Sequence, residues 1–187
     1  MTLLLKCWPS LCVKLLTAIG LFWAGAVVAE SEAPLPELNT AKAAFVFNFL
    51  KFTTWPETVF TRTDSLTICL LDVAESLAEE VRALGNRTIG TRRIVVRTTS
   101  LREDDFARCH LILVGADGMD KALATLTGGG ALLVSDAPNF ARKGGMIGLV
   151  LYQGRLQFEL NTEALANTTF KLDGRLVGLA QNSRRDR

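Results

Sequence analysis

Chemistry-bearing side chains are scarce in this chain of 187 residues, which has one histidine and four cysteines. Cys69, Cys109 and the single histidine, His110, could begin a thiolate and imidazole metal site, but Cys7 and Cys12 lie in a leader segment and nothing else completes four ligands. His110 directly follows Cys109 at the start of an apolar run, a place that suits a packed or hydrogen-bonded imidazole better than a general base. No GxSxG elbow is present, and neither Ser100 nor Ser135-Asp136 has a histidine partner suggested by the sequence. Gly115-Ala116-Asp117-Gly118 has the strand-to-helix context of an anion site but lacks both GxGxxG spacing and a P-loop lysine. Gly128 to Gly130 falls after a helix and before a strand, the wrong side of a sheet for that task, so ordinary turns are the better reading. The chain therefore reads as non-enzymatic, with no metal and no cofactor.

Charge of one sign is also lacking. The chain carries 21 basic and 19 acidic residues, a net charge of +2, and this balance excludes a general affinity for nucleic acid. The longest apolar run, Leu15 to Ala26, falls short of the ~20 residues a membrane span needs. It follows Lys6 and Lys14 with no acidic residue and leads to Val27-Val28-Ala29, small residues at the positions that precede a cleavage site. Residues 1–29 thus read as an export signal cut after Ala29, an uncleaved anchor being the alternative. Removal of Lys6 and Lys14 leaves 19 basic against 19 acidic residues, with no direct membrane insertion expected of the mature chain.

What is present is a dense aromatic segment, TAKAAFVFNFLKFTTWP at 40–56, holding Phe45, Phe47, Phe49, Phe52 and Trp55. At helical spacing Ala41, Phe45, Asn48 and Phe52 form one stripe while Ala43, Phe47 and Leu50 lie roughly opposite, so the helix is expected to be covered on two faces. Pro56 should end it near Thr53. Burial in a core explains such a helix. Alternatively, part of its second face meets a partner, and a homodimer is one form of that.

The chain beyond it alternates strand and helix signals. Strands are expected at 65–71, 92–98, 111–114 and 131–134, with helices at 73–84 and 119–126 and a turn or short helix at 101–107. Gly145 to Tyr152 and Arg155 to Leu160 flank Gln153-Gly154, a two-residue link suited to an antiparallel hairpin. Short helices are expected at 162–167 and 172–181. Strands joined by helices imply right-handed crossovers and a parallel sheet covered on both faces. The fold class is therefore α/β, a three-layer sandwich with a mostly parallel central sheet and an antiparallel C-terminal hairpin. The β-α-β order puts the second strand on one side of the first and leaves the third to take the other side. If the strands bearing Cys69 and Cys109 are thus neighbours, the two residues can lie within bonding range; two free buried thiols are the alternative. A crosslink there would stabilise the fold by roughly 4 kcal/mol in the chain-entropy model.

At this point the chain resembles a known family, the YfiR-like (HmsC-like) periplasmic proteins. The residues that carry the likeness are KAAFVFNFLKFTTWP at 42–56, the cysteine of LTICLLD, the Cys-His pair opening CHLILVGA at 109, and LLVSD at 132–136. Phe140, GGMIGLV at 144–150, FELN at 158–161 and LVGLA at 176–180 complete it. The resemblance divides the chain into a signal at 1–29, an extension at 30–38, one α/β domain at 39–181 and a basic tail at 182–187.

It implies a non-enzymatic periplasmic repressor that binds the sensor region of an inner-membrane diguanylate cyclase and so lowers cyclic di-GMP and biofilm output. It also implies that Cys69 and Cys109 form a disulfide linking the fold to redox state. Two departures stand out: Gly144, Gly145, Leu151 and Tyr152 occupy the region where some relatives carry a second cysteine pair, and Leu172-Asp173-Gly174-Arg175 replaces a serine pair. Asp173 can still cap the last helix. The expected partner surface is the first helix with its exit (Phe47, Lys51, Trp55) and the last helix (Leu172, Leu176, Leu179). A small-ligand module using Asp72, Gly115 and Asp136 at the carboxyl edge of the strands, or an envelope adaptor without a cyclase, are the competing readings.

Overall fold

A leucine-rich run such as 65–71 cannot be solvated, and in the computed structural model it becomes a buried strand inside a sheet. The structure describes residues 35–60, 64–100, 106–126 and 130–180. The expected signal at 1–29, the turn at 101–105, Gly128-Gly129 and the tail at 182–187 lie outside the described residues. Strand β2 (Ser65–Leu71) is flanked by β4 (Arg92–Thr98) and β5 (Leu111–Val114), and β6 (Leu132–Ser135) and β7 (Ile147–Tyr152) continue the parallel array. Antiparallel strands close both sides: β3 (Thr88–Ile89) beside β4, and β8 (Arg155–Leu160) beside β7. The order is β3-β4-β2-β5-β6-β7-β8.

Every residue of β5 and β6 is buried, as a strand covered on both faces must be, whereas β4 near the edge is mixed. Helix α2 (Glu75–Arg82) connects β2 to β4 in one direction, and α3 (Met119–Thr125) connects β5 to β6 in the other. Right-handed crossovers running in opposite directions put those helices on opposite faces, giving the three layers. The hairpin turn needs left-handed backbone at both central positions, and Gln153 (φ 50°) and Gly154 (φ 71°) supply it.

Helix α1 (Leu35–Lys51) differs from the two-faced expectation. Its buried residues, Ala43, Val46, Phe49 and Leu50, form one face, and Glu37, Thr40, Ala44, Asn48 and Lys51 form one exposed stripe. Phe45, Phe47 and Phe52 sit half-buried at the margins. A ring on a long stem reaches the core from the margin of a helix, so three phenylalanines there imitate a second apolar face. Phe49 meets Phe158 of β8 edge-on at 5.2 Å, and Phe45 meets the same ring at 5.8 Å. Burial of a ring such as Phe49 contributes ~2 kcal/mol. Lys42 reaches from α1 to Asp136 beyond β6, 2.7 Å away.

Candidate partner-binding surface

Helix α1 ends at Lys51, two residues before the expected Thr53, because the chain turns at once into a strand. Thr53–Thr54 (β1) pairs antiparallel with Lys171–Leu172 (β9), setting Thr53 opposite Leu172 and Thr54 opposite Lys171. The Asp173 amide donates to the Phe52 carbonyl at 2.9 Å and extends the pairing. Two segments more than a hundred residues apart are thereby joined into one surface.

Helix α5 (Gly174–Leu179) starts where β9 stops, so the helix expected from Leu172 begins two residues later. Asp173 is its N-cap, accepting from the Arg175 amide at 2.8 Å. The Arg175 guanidinium also grips the Asp173 carboxylate at 2.8 Å, and the side-chain and backbone bonds from Arg175 hold that carboxyl down at about 2. α4 (Thr162–Ala166) is capped likewise by Asn161, which accepts from the Ala164 amide at 3.0 Å.

The six residues expected to meet a partner fall into three groups. Lys51 is exposed and Leu179 is 64% exposed. Phe47 and Leu172 are half-buried. Trp55 and Leu176 are buried at 8% and 5% exposure, so they form the floor of the surface instead of offering area to a partner. Trp55 packs against Phe170 at 4.8 Å and meets the His110 ring edge-on at 5.4 Å. Leu172 is brought to the α1 exit by its pairing with Thr53, and the start of α5 by the reach of Arg175 to the Phe52 ring that also meets Lys51. Phe47 is not: on the helical wheel it lies across the exposed stripe from Phe52, beneath the Arg87 guanidinium at 4.3 Å.

Residues not singled out from sequence complete the surface. Phe52 lies between Lys51, 5.5 Å from its ring centroid, and Arg175 at 5.3 Å. Exposed Lys171 and Lys51 carry the positive charge of the rim, Arg175 being paired with Asp173. The signal that could have found Arg175 is its place in the first turn after Asp173, within reach of the cap.

Cys69 and Cys109 form a disulfide with Cα atoms 5.8 Å apart. Cys69 lies within β2, Cys109 two residues ahead of β5, and the two strands are parallel neighbours, which is the arrangement such a bond requires. A model of the family described as YfiR/HmsC-like matches residues 39–181. The chain belongs to that family. No curated protein matches the chain.

In this YfiR/HmsC-like domain the backbone leaving β2 crosses the backbone leaving β5 at the carboxyl edge of the strands. Asp72, with φ 50°, follows β2, and its carbonyl oxygen lies only 1.7 Å from where a Cβ on Gly115 would stand. Gly115 is therefore a crossing point of two connections, which accounts for a glycine there without a ligand. Gly118 gives the Asp72 carboxylate room in the same way, its would-be Cβ being 2.8 Å from Oδ2. Asp72 and Gly115 thus meet, while Asp136 is tied to Lys42.

His110 is an interior residue of the YfiR/HmsC-like core. Its Nδ1 accepts from the Thr67 amide at 3.0 Å, so the neutral ring carries its proton on Nε2. Phe60 stacks on it at 5.2 Å, and Arg92 covers the far face of Phe60 at 3.4 Å. Burial first and the Arg92 charge second lower its pKa to about 4. Among the described residues no group of three or more His, Cys, Asp or Glu side chains could hold a metal, and no helix is long and apolar enough to cross a membrane.

Proposed function

We propose that this protein is an exported, periplasmic, non-enzymatic repressor that binds the periplasmic sensor region of an inner-membrane diguanylate cyclase and so lowers cyclic di-GMP and biofilm output. Membership of the YfiR/HmsC-like family supports a periplasmic regulator of this kind. The observation that carries the reading is the joining of the α1 exit to α5 by the β1–β9 pair. That pair supports the reading by joining α5, which carries exposed Leu179, to the α1 exit, where Lys51 and Lys171 are exposed cations and Arg175 is paired with Asp173. An exposed apolar anchor ringed by charge is the usual anatomy of a regulated protein interface. The partner segment should carry carboxylates around an apolar contact, and association should slow as salt is raised.

The test is the double substitution Lys51→Glu and Leu179→Glu, both at exposed positions. Thermal stability should stay within ~1 kcal/mol of the parent, as surface changes usually do. Cellular cyclic di-GMP should rise to the level of a strain lacking the protein. A stable variant that still represses would place the binding surface elsewhere.

A further inference from the structure

The Cys69–Cys109 bridge has a charged neighbour that the fold alone does not require. Parallel pairing of β2 with β4 sets Arg97 directly opposite Cys69. From there its Nε reaches the Cys69 sulfur at 3.4 Å and its Nη2 reaches the Cys109 sulfur at 3.7 Å. Cys69 is 0% exposed and Cys109 5%, so the guanidinium acts on the sulfurs with little water between them.

We infer that Arg97 is a positioning residue for the redox chemistry of this bridge: it is placed to hold the two sulfurs as thiolates once the bond opens, and so makes the disulfide easier to reduce. A disulfide sulfur is neutral and a weak acceptor, whereas a thiolate bears a full charge and takes a charge-assisted bond from a guanidinium. The contact therefore favours the reduced state over the oxidised one. Burial by itself works the other way, raising the pKa of an apolar thiol and disfavouring its anion. His110, next in the chain, is neutral and directed to the Thr67 amide and the Phe60 ring, so it supplies no competing charge.

The step is thiol–disulfide exchange with a dithiol. The reductant's thiolate attacks the sulfur of Cys109, the cysteine with some exposure. The Sγ–Sγ bond breaks, and its electron pair leaves on Cys69, beside Arg97 Nε. The second thiolate of the reductant then attacks the mixed disulfide and releases Cys109 as a thiolate. Two electrons pass to the protein, the reductant ends as a disulfide, and the two thiolates take up protons according to their pKa values.

The experiment equilibrates the oxidised full chain and its R97Q and R97K variants with graded ratios of reduced and oxidised dithiothreitol. Alkylation and mass measurement then give the reduced fraction at pH 6.5 and pH 9. At pH 9 the R97Q reduction constant should fall about tenfold, equivalent to ~30 mV, with R97K close to the parent. At pH 6.5, where thiols stay protonated, the three should converge. No gap at pH 9, or an equal gap at both pH values, would mean that Arg97 only packs against the bridge and would overturn the inference. If R97Q does not fold, the parent alone decides: the bend in its potential against pH that marks thiol ionisation should fall below ~8.5, and a bend above that value overturns the inference. No partner protein enters the measurement, so its failure leaves the repressor reading untouched.

Discussion

His110 shows how one buried side chain makes stability depend on pH. Its folded-state pKa of about 4 lies below the ordinary value of 6.5, so between those values the unfolded chain binds the extra proton and the folded chain does not. The contribution is therefore complete above pH 6.5 and is lost as pH falls toward 4, up to about 3 kcal/mol in all. Protonation would also turn Nδ1 from an acceptor into a donor facing the Thr67 amide. His110→Gln should flatten the fall in melting temperature between pH 6.5 and 4. An unchanged slope would assign the acid sensitivity to other groups. The residue type and its interior role were readable from one histidine beside a buried strand. Its stack with Phe60 and its edge contact with Trp55 were not, because those rings arrive from a separate segment.

The β1–β9 pair decides whether α1 and α5 act as one surface. Asp173→Pro removes the amide that donates to Phe52 and removes the cap of α5 at once. The variant should lose repression, and limited proteolysis should cut within residues 173–180 while the seven-stranded sheet stays folded. Protection equal to the parent would mean that α5 is held by Leu176 and its packing alone. Strands of two residues leave no periodic trace in a sequence, which is why Leu172 read as the start of a helix and Lys171 as no element. By contrast β2, β4 to β8 and α1 to α3 were legible, each long enough for its hydrophobic period to rise above the background. The two-faced reading of α1 came from the same rule applied to three rings that lie at its margins.

For the molecule as a whole, the disulfide is the only covalent crosslink among the described residues and spans a sequence separation of 40. Replacing both Cys69 and Cys109 with serine should cost roughly 4 kcal/mol, which lowers the melting temperature of a domain this size by ~10 °C. Calorimetry of the parent with and without reductant should reproduce the shift, and a difference below ~1 kcal/mol would mean that the sheet is indifferent to the bridge. The amino-acid sequence by itself determined the α/β class and the strand order around β2, since these follow from local hydrophobic period and crossover handedness; it left Cys69 and Cys109 either bonded or free, and the structure joins them. Tertiary structure alone decided that Trp55 and Leu176 are floor and not rim, that Gly115 is a crossing of loops, and that Arg97 lies on the bridge. Each of those is a contact between segments distant in the chain, and burial is a property of what the rest of the chain places on top of a residue, which no local pattern records.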